Sequence, residues 1–405
     1  MATHRKTALV TLLLASTLAV MAGAILTPVL EVIRGDLGVT GTAAGLIITA
    51  HGLVIALSSP LWGWAIDRWG VRLPLAGGLA LYGLAGGAGV LTSSYPALIA
   101  SRLLFGLGAA AVFTGTTVAL LNLFRGEERD RVMGWRATAT SLGGVLWPLL
   151  GGAVGGFSWH APFAIYLVGV PLGFAVLGLP FTSNEEEGRG ARVARGGTLR
   201  LWRRRPLLLG LYGMQLVTAV LMYALIVFLP QRLSQIGIEA PLLVSLYNVT
   251  MSAVMSLVGL VYATMRAHLG YETLFRITLT SWVAAFLLLA TTSHPLLIAA
   301  APALLGLGQG IALPAITSLV GDTAPPQLRG QATSVLGTVT FAGQFASPLL
   351  LGPLVRATSI PAAYLASAGV AGIVLVLLLV TRVSWDSPPN VEPAPSPEPV
   401  RPVTR

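Results

Sequence analysis

Few side chains in this sequence have the types and positions that catalytic chemistry needs. The chain has no cysteine, which excludes disulfides, thiolate metal sites and a cysteine nucleophile. Its 5 histidines and 15 acidic residues form no Ser-His-Asp set, no metal-ligand spacing and no pair of carboxylates. We therefore predict a protein that is not an enzyme and that needs no metal and no other cofactor.

Three ionisable residues lie within or at the edge of apolar stretches, where charge is costly and usually functional. Arg102 could bind an anion or take part in coupling, and its alternative role is to hydrogen-bond backbone carbonyls. Glu31 and His51 are the candidate proton carriers. Burial favours a protonated carboxyl and a neutral imidazole, so we rank Glu31 first, unless Arg34 at i+3 holds it ionised.

Neutral polar side chains in the apolar stretches are candidates for substrate contact. The alternative role for each is a hydrogen bond between neighbouring helices. The candidates are Tyr212, Gln215, Tyr223, Asn248, Gln309 and Gln344.

The elements that position these residues are predicted to be membrane-spanning helices. Of the 405 residues, 55% are hydrophobic and 10% charged, whereas a soluble domain carries about 25% charged residues. About 20 apolar residues cross a bilayer as a helix. Twelve such runs occur, at 8–30, 42–64, 74–92, 96–123, 132–157, 162–181, 207–229, 241–265, 273–292, 296–320, 331–354 and 361–381. The first run also resembles a cleaved signal peptide, but the repeat described below requires it as a helix.

The placement of lysine and arginine predicts the orientation, because these residues are enriched in cytoplasmic loops. With the N-terminus inside, 20 of the 25 fall on the cytoplasmic side. Only Arg34, Arg232 and Arg356 fall outside, and Arg102 and Arg136 lie within runs. We therefore predict a multi-pass protein of the plasma (inner) membrane with both termini cytoplasmic. The net charge of +10 then reflects orientation in a lipid bilayer, and nucleic acid is not expected as a partner.

The runs form two halves joined by a polar segment. We predict a six-helix bundle over 1–181, a cytoplasmic linker over 182–206, a second six-helix bundle over 207–381 and a disordered proline-rich tail over 382–405. The halves repeat at an offset of 200 residues, with coincident glycines, a proline and a loop arginine. The matched pairs are Gly70 with Gly270, Gly106 with Gly306, Gly108 with Gly308, Arg129 with Arg329, Gly143 with Gly343, Pro148 with Pro348 and Gly152 with Gly352. Parallel repeats of this kind occur in transporters whose substrate site lies between the halves.

Three motifs give the chain a resemblance to the major facilitator superfamily over nearly its whole length. After the second run, Gly63, Asp67, Arg68, Gly70 and Arg72 match the family's G-x-x-x-D-R-x-G-x-[RK] gate motif. In the fourth run, Arg102, Gly106 and Gly108 match its R-x-x-x-G-x-G motif. The resemblance implies an all-α membrane protein of twelve transmembrane helices, in two six-helix bundles related by a pseudo-two-fold repeat. It also implies a role for Arg102 in coupling.

The fifth run resembles a motif typical of the superfamily's antiporters, which are mainly drug exporters. It comprises Gly134, Gly143, Pro148, Gly151 and Gly152. Trp147 stands where that motif has glycine, so it must fill volume that the family leaves open. The alternative is that these residues only pack helices together and do not influence the direction of transport.

The gate motif predicts electrostatic contacts on the cytoplasmic side. Asp67 is placed to meet a helix N-terminus, whose partial positive charge favours an anion. Arg68 and Arg72 could bridge to the acidic residues of the loop near Arg129, which are Glu127, Glu128 and Asp130. In the second half Arg329 and Asp322 remain, while Ala267 replaces the aspartate, so each half keeps a different part of the motif.

These observations predict a secondary active transporter that exports small amphipathic compounds by proton antiport through alternating access. Its partners would be a small-molecule substrate, the proton as coupling ion and the bilayer. A carrier for an organic anion or other metabolite, in uptake or exchange, is the main alternative. A non-transporting membrane sensor with the same fold is a remote one.

Overall fold

The computed structural model of the protein describes residues 2–179, 206–325 and 328–381, and within these ranges the ordered elements are helices. We number the membrane-crossing segments span 1 to span 12. Span 1 comprises helices Ala2–Ala24 and Leu30–Asp36, and span 6 comprises Ala161–Ile165 and Gly169–Leu177, each pair joined by a short 3₁₀ turn. The other spans in order are Gly41–Trp69, Arg72–Gly87, Tyr95–Leu123, Gly126–Gly155, Pro206–Ser234, Pro241–His268, Tyr271–Thr291, Pro295–Thr323, Arg329–Ala357 and Ile360–Val380.

The predicted membrane-spanning helices are confirmed. Among the described residues, 11 helical segments are long and apolar enough to cross a bilayer, and span 6 is a shorter apolar segment over Ala161–Leu177. Helices satisfy their backbone hydrogen bonds internally, which is required in hydrocarbon. The predicted linker over 182–206 and tail over 382–405 lie almost wholly outside the described residues, so the division into these segments stays a prediction.

Short loops make successive spans alternate in direction, which defines two sides. Span 1 begins and span 12 ends on the same side of the molecule, which we call the terminal side. We call the other side the opposite side. The loops near Gly70 and Leu269 lie on the terminal side, whereas those near Gly38, Ser93 and Gly237 lie on the opposite side.

The sequence repeat corresponds to a repeat of helix contacts. A Cβ built on Gly106 would lie 2.8 Å from the carbonyl oxygen of His51, and one on Gly306 would clash with the carbonyl oxygen of Met251. Likewise Gly108 packs against Tyr82, and Gly308 packs against Trp282. In each pair the contacted residues are again 200 positions apart. Small residues therefore set the same close helix approach in both halves.

Candidate functional site

The two halves meet on the opposite side, through span 2 against spans 7 and 11 and through span 5 against span 8. A Cβ built on Gly45 would lie 2.7 Å from Val227 and 2.8 Å from Pro348. One on Gly152 would lie 2.8 Å from both the carbonyl oxygen of Pro241 and the Cβ of Ser245. Such distances leave no room for solute between the halves at this level.

The same four spans separate towards the terminal side. A Cβ built on any of four glycines in the terminal-side parts of spans 2, 5, 8 and 11 would meet no atom within 4 Å; they are Gly63, Gly134, Gly259 and Gly337. From the tight contact at one end and the open space at the other we infer that the halves are closed on the opposite side and part towards the terminal side, with a cavity between them. This is one of the end states that alternating access requires.

The floor of this cavity brings together three of the predicted residues. His51 of span 2 is 2% exposed, and its Nε2 lies 3.2 Å from Nε2 of Gln344 in span 11. A Cβ on Gly23 of span 1 would lie 3.8 Å from Cε1 of His51 and 3.9 Å from the hydroxyl oxygen of Tyr223 in span 7. One imidazole is thus surrounded by side chains and backbone of both halves.

The geometry of the His51–Gln344 contact constrains the imidazole. With the Gln344 amide in this orientation its nitrogen donates to Nε2 of His51 and the ring proton lies on Nδ1, whereas the turned amide would accept from Nε2. Nδ1 is buried and has no hydrogen-bond partner among the described residues. The contact therefore uses neutral His51. A second proton on Nε2 would require Gln344 to turn its oxygen towards the ring, or the halves to part.

The other neutral polar candidates bond within the second half. Nε2 of Gln215 donates to the hydroxyl of Thr340 at 2.8 Å, and Nε2 of Gln309 donates to the carbonyl of Thr218 at 3.2 Å. The hydroxyl of Tyr212 donates to the carbonyl of Ala332 at 3.0 Å. These bonds join spans 7, 10 and 11. They hold the second half together while the halves move relative to each other.

Asn248 of span 8 differs from these residues. Its Nδ2 donates to the carbonyl of Val244 at 3.2 Å, one turn earlier. Its Oδ1 is buried and has no partner among the described residues. This acceptor remains free for a solute or a water molecule.

Arg102 lies inside the first half, away from the contact between the halves. The side chain is fully buried, and Nη2 donates to the carbonyl of Gly86 at 2.8 Å, in the last turn of span 3. Its guanidinium lies 4.7 to 5.1 Å from the ring centroids of Phe105, Phe163 and Tyr166. The predicted position in the central cavity is therefore not the one observed, because the carbonyls ending span 3 and three aromatic faces hold this cation.

Glu31 is engaged by its neighbour. Nε of Arg34 donates to Oε2 of Glu31 at 2.8 Å, and Nη2 of Arg34 contacts the other carboxylate oxygen. The carboxylate lies near the opposite-side end of span 1, and the Glu31 side chain is 20% exposed. Both oxygens of the Glu31 carboxylate are thus engaged by Arg34, one turn later in the same helix.

The gate motif is open in this structure. Asp67 is exposed and has no ion pair among the described residues, and Asp322, Arg129 and Arg329 are exposed too. Arg72 donates to the carbonyl of Leu177, which ties the loop after span 2 to the end of span 6. Gly70 has φ +75°, a conformation that glycine adopts without strain.

The acidic residues predicted to lie in a loop occupy the first turn of span 5, and their observed partner differs from the predicted one. Glu128 pairs with Arg5 at 2.9 Å, and Arg5 also donates to the carbonyl of Leu123 at 3.0 Å. Arg68 instead lies over the ring of Trp64, at 5.8 Å. The predicted contacts with Glu127 and Asp130 concern side chains outside the described set. Arg5 was not a candidate, because no pattern in the sequence relates it to this loop.

The span 5 motif lies between the two halves. Gly151 packs on the backbone of Ile25, where span 1 breaks, and Gly152 packs on span 8. Trp147 donates from Nε1 to the carbonyl of Thr17 at 3.1 Å, which satisfies its polar atom as it fills space beside span 1. Gly134, in contrast, faces open space.

Two polar residues at the contact between the halves were not predicted. A Cβ on Gly41, at the start of span 2, would lie 2.7 Å from Oε1 of Gln231 in span 7. Nε2 of Gln231 and the hydroxyl of Thr42 are buried and have no partner among the described residues. The sequence placed the end of the seventh run at 229, which left Gln231 in a loop. A run extended by one turn would have included it.

Comparison with known proteins identifies the family. The family model described as Major Facilitator Superfamily matches residues 12–272 and 251–404. The chain belongs to the major facilitator superfamily. It accordingly has the all-α, multi-pass membrane fold of that superfamily.

Curated relatives of this superfamily member match part of the chain. A hexuronate transporter of Bacillus subtilis is 30% identical over 156 residues, 38% of this chain and 37% of that protein. A bacillibactin exporter of the same organism is 30% identical over 150 residues, 35% and 37% of the two chains. The quinolone resistance protein NorA of Staphylococcus aureus is 29% identical over 136 residues, 34% and 35% of the two chains. The chain thus spans little more than a third of these relatives' lengths.

Solved structures share the fold over nearly the whole chain. The nucleoside transporter NupG superposes with a TM-score of 0.76 at 14% identity, covering 93% of this chain and 98% of that one. A D-xylose-proton symporter gives 0.75 at 12% identity, covering 94% and 98%. At such identities the likeness concerns architecture alone.

Proposed function

We propose that this superfamily member exports small amphipathic compounds by proton antiport, with His51 as its proton site. The main support for this proposal is the His51–Gln344 contact at 3.2 Å. It joins a titratable group of one half to the other half on the closed side. Alternating access must break this contact, because the halves separate there when the cavity opens to the opposite side.

The protonation of His51 can therefore be coupled to the motion of the halves. In the terminal-side-open state the imidazole is neutral and accepts from Gln344. A proton on Nε2 removes that acceptor, so either Gln344 turns its oxygen towards the ring or the halves part at this point. The charge on His51 therefore alters the contact that joins the halves, and this links its protonation to their motion.

Export, as opposed to uptake, is supported by the span 5 motif and by the descriptions of two of the three relatives named above. NorA is described as a quinolone resistance protein and another relative as a bacillibactin exporter. Both descriptions fit the outward movement of amphipathic compounds. The organic-anion alternative was centred on Arg102, which is fully buried inside the first half, with Nη2 on the carbonyl of Gly86 and aromatic rings around the guanidinium.

The orientation in the cell belongs to the same proposal. Arginines cluster on the terminal side, which by the positive-inside rule is the cytoplasmic side of the plasma (inner) membrane. The open cavity then faces the cytoplasm, where an exporter collects its substrate.

The experiment is transport by purified protein in liposomes with an imposed pH gradient, tested against lipophilic cations, neutral drugs and organic anions. Antiport predicts that substrate accumulates on the acidic side, with proton movement in the opposite direction that depends on substrate. Substrate transport that does not depend on the pH gradient contradicts the proposal. Transport of substrate and proton in the same direction contradicts it too.

A further inference from the structure

A lateral groove on the outer surface of spans 9 and 10 is separate from the transport cavity. It has a volume of about 430 Å³ and is lined by Thr273, Arg276, Ile277, Thr280, Ala284 and Leu304 among others. Span 9 packs against spans 10 and 12 through the helix face turned away from the groove. This face carries Phe275, Trp282 and Phe286. In a bilayer the groove therefore faces lipid.

The groove changes from polar to apolar along its length. Its polar members lie near the start of span 9, and Ala284 and Leu304 lie deeper. A rise of about 1.5 Å per residue puts Arg276 about 8 Å and Ala284 about 20 Å from the start of the span. The hydrocarbon core is about 30 Å thick, so the groove runs from the polar edge of the terminal-side leaflet to just beyond the middle of the core.

The polar end carries hydrogen-bonding groups that the protein leaves unused. Nε of Arg276 is buried and has no hydrogen-bond partner among the described residues. Thr280 is exposed on this face, and no hydrogen bond of its hydroxyl occurs among the described residues, whereas Thr291 bonds back to the carbonyl of Leu287. The Arg276 side chain as a whole is 43% exposed, so the guanidinium and the Thr280 hydroxyl are donors that an acceptor in the groove can use.

The charges at this end restrict the acceptor. Arg276 pairs with Glu272 one turn earlier, and their side chains are 43% and 44% exposed. An anion alone would be attracted to Arg276 and repelled by Glu272. A headgroup that carries both a phosphate and an N–H-bearing cation matches the pair, with phosphate on the guanidinium and ammonium on the carboxylate.

We propose that this groove binds a glycerophospholipid with a primary-amine headgroup. The exposed part of the Arg276 guanidinium and the Thr280 hydroxyl donate to the phosphate, Glu272 accepts from the ammonium, and one acyl chain lies along Ile277, Ala284 and Leu304. The bound lipid occupies the terminal-side leaflet, and no residue of the transport cavity takes part.

The test is native mass spectrometry of the full-length protein after exchange into nanodiscs of equal parts ethanolamine, choline and glycerol phospholipids. We expect retained lipid to be at least ten-fold enriched in the ethanolamine headgroup. Arg276→Gln should abolish this enrichment, and the control Arg356→Gln, at an exposed arginine on the opposite side, should keep it.

Further variants separate the headgroup from the acyl chain. Leu304→Trp, which fills the groove and leaves both charges in place, should lower total retained lipid without affecting the folded state seen by size-exclusion chromatography. Equal retention of the three headgroups contradicts the proposal, as does a preference for the glycerol headgroup or wild-type retention by Arg276→Gln. Displacement of the lipid by inorganic phosphate alone would assign the site to free phosphate and also overturn it.

Discussion

Gly152 of span 5 lies against Ser245 of span 8, so close that a methyl group on Gly152 would stand 2.8 Å from the Cβ of Ser245. The contact joins the first half to the second on the opposite side. Its counterpart in the repeat, Gly352, packs on Thr42 of span 2. The closed side therefore depends on two glycines related by the repeat.

Gly152→Ala should shift the protein towards the state that is open on the opposite side. Overpacking a tight contact costs about 1–3 kcal/mol, and a free-energy difference of that size changes an equilibrium by about five- to 150-fold. The measurement is the labelling rate of a cysteine introduced at Ser245, in a chain that has no native cysteine. Gly134→Ala is the control, because Gly134 faces open space. Equal labelling rates for the two variants would refute the role assigned to Gly152.

Arg102→Met should destabilise the fold more than it changes coupling. The guanidinium bonds the carbonyl of Gly86, and hydrogen bonds to charged groups contribute about 1.5–3 kcal/mol each. We expect a lower Tm in detergent and an unchanged ratio of protons to substrate in the protein that remains folded. Loss of proton coupling in a variant with the wild-type Tm would instead show that Arg102 takes part in the transport mechanism.

Asp67→Asn should slow transport and enrich the terminal-side-open state. Asp67 has no ion pair among the described residues in that state, so its charge stabilises the other state, in which the terminal side closes. Distances between spin labels across the terminal side report the shift. Glu239→Gln, which removes an exposed carboxylate on the opposite side, is the control. A distance distribution identical to that of the wild type would refute this role.

Labelling of single cysteines from outside intact cells checks the orientation. Ser93→Cys, in the exposed loop before span 4, should react with an impermeant reagent. Thr381→Cys, at the terminal-side end of span 12, should react only after the membrane is opened. The reverse pattern would invert the proposed topology and the direction of transport with it.

The sequence predicted the spans well and the site only in part, for a physical reason. Apolar length and coincident glycines are local signals, and Gly106 and Gly306 do make equivalent contacts. Pairing between distant spans has no such signal. His51 and Gln344 were both candidates, but nothing in their spacing related one to the other. Arg102 was assigned to the cavity because the free-energy cost of a charge in the bilayer indicates that the side chain is shielded from lipid. That cost does not indicate which partners stabilise the charge.

The central claim is that His51 carries the coupled proton, and the direct measurement is substrate-induced proton movement in liposomes containing His51→Asn. The account predicts that proton movement is lost while substrate binding remains, and that Gln344→Leu weakens coupling without abolishing it. Glu31→Gln and His160→Asn should keep wild-type coupling, because Glu31 pairs with Arg34 and His160 stacks on Trp159 at the opposite-side edge. Wild-type proton movement by His51→Asn would contradict the account.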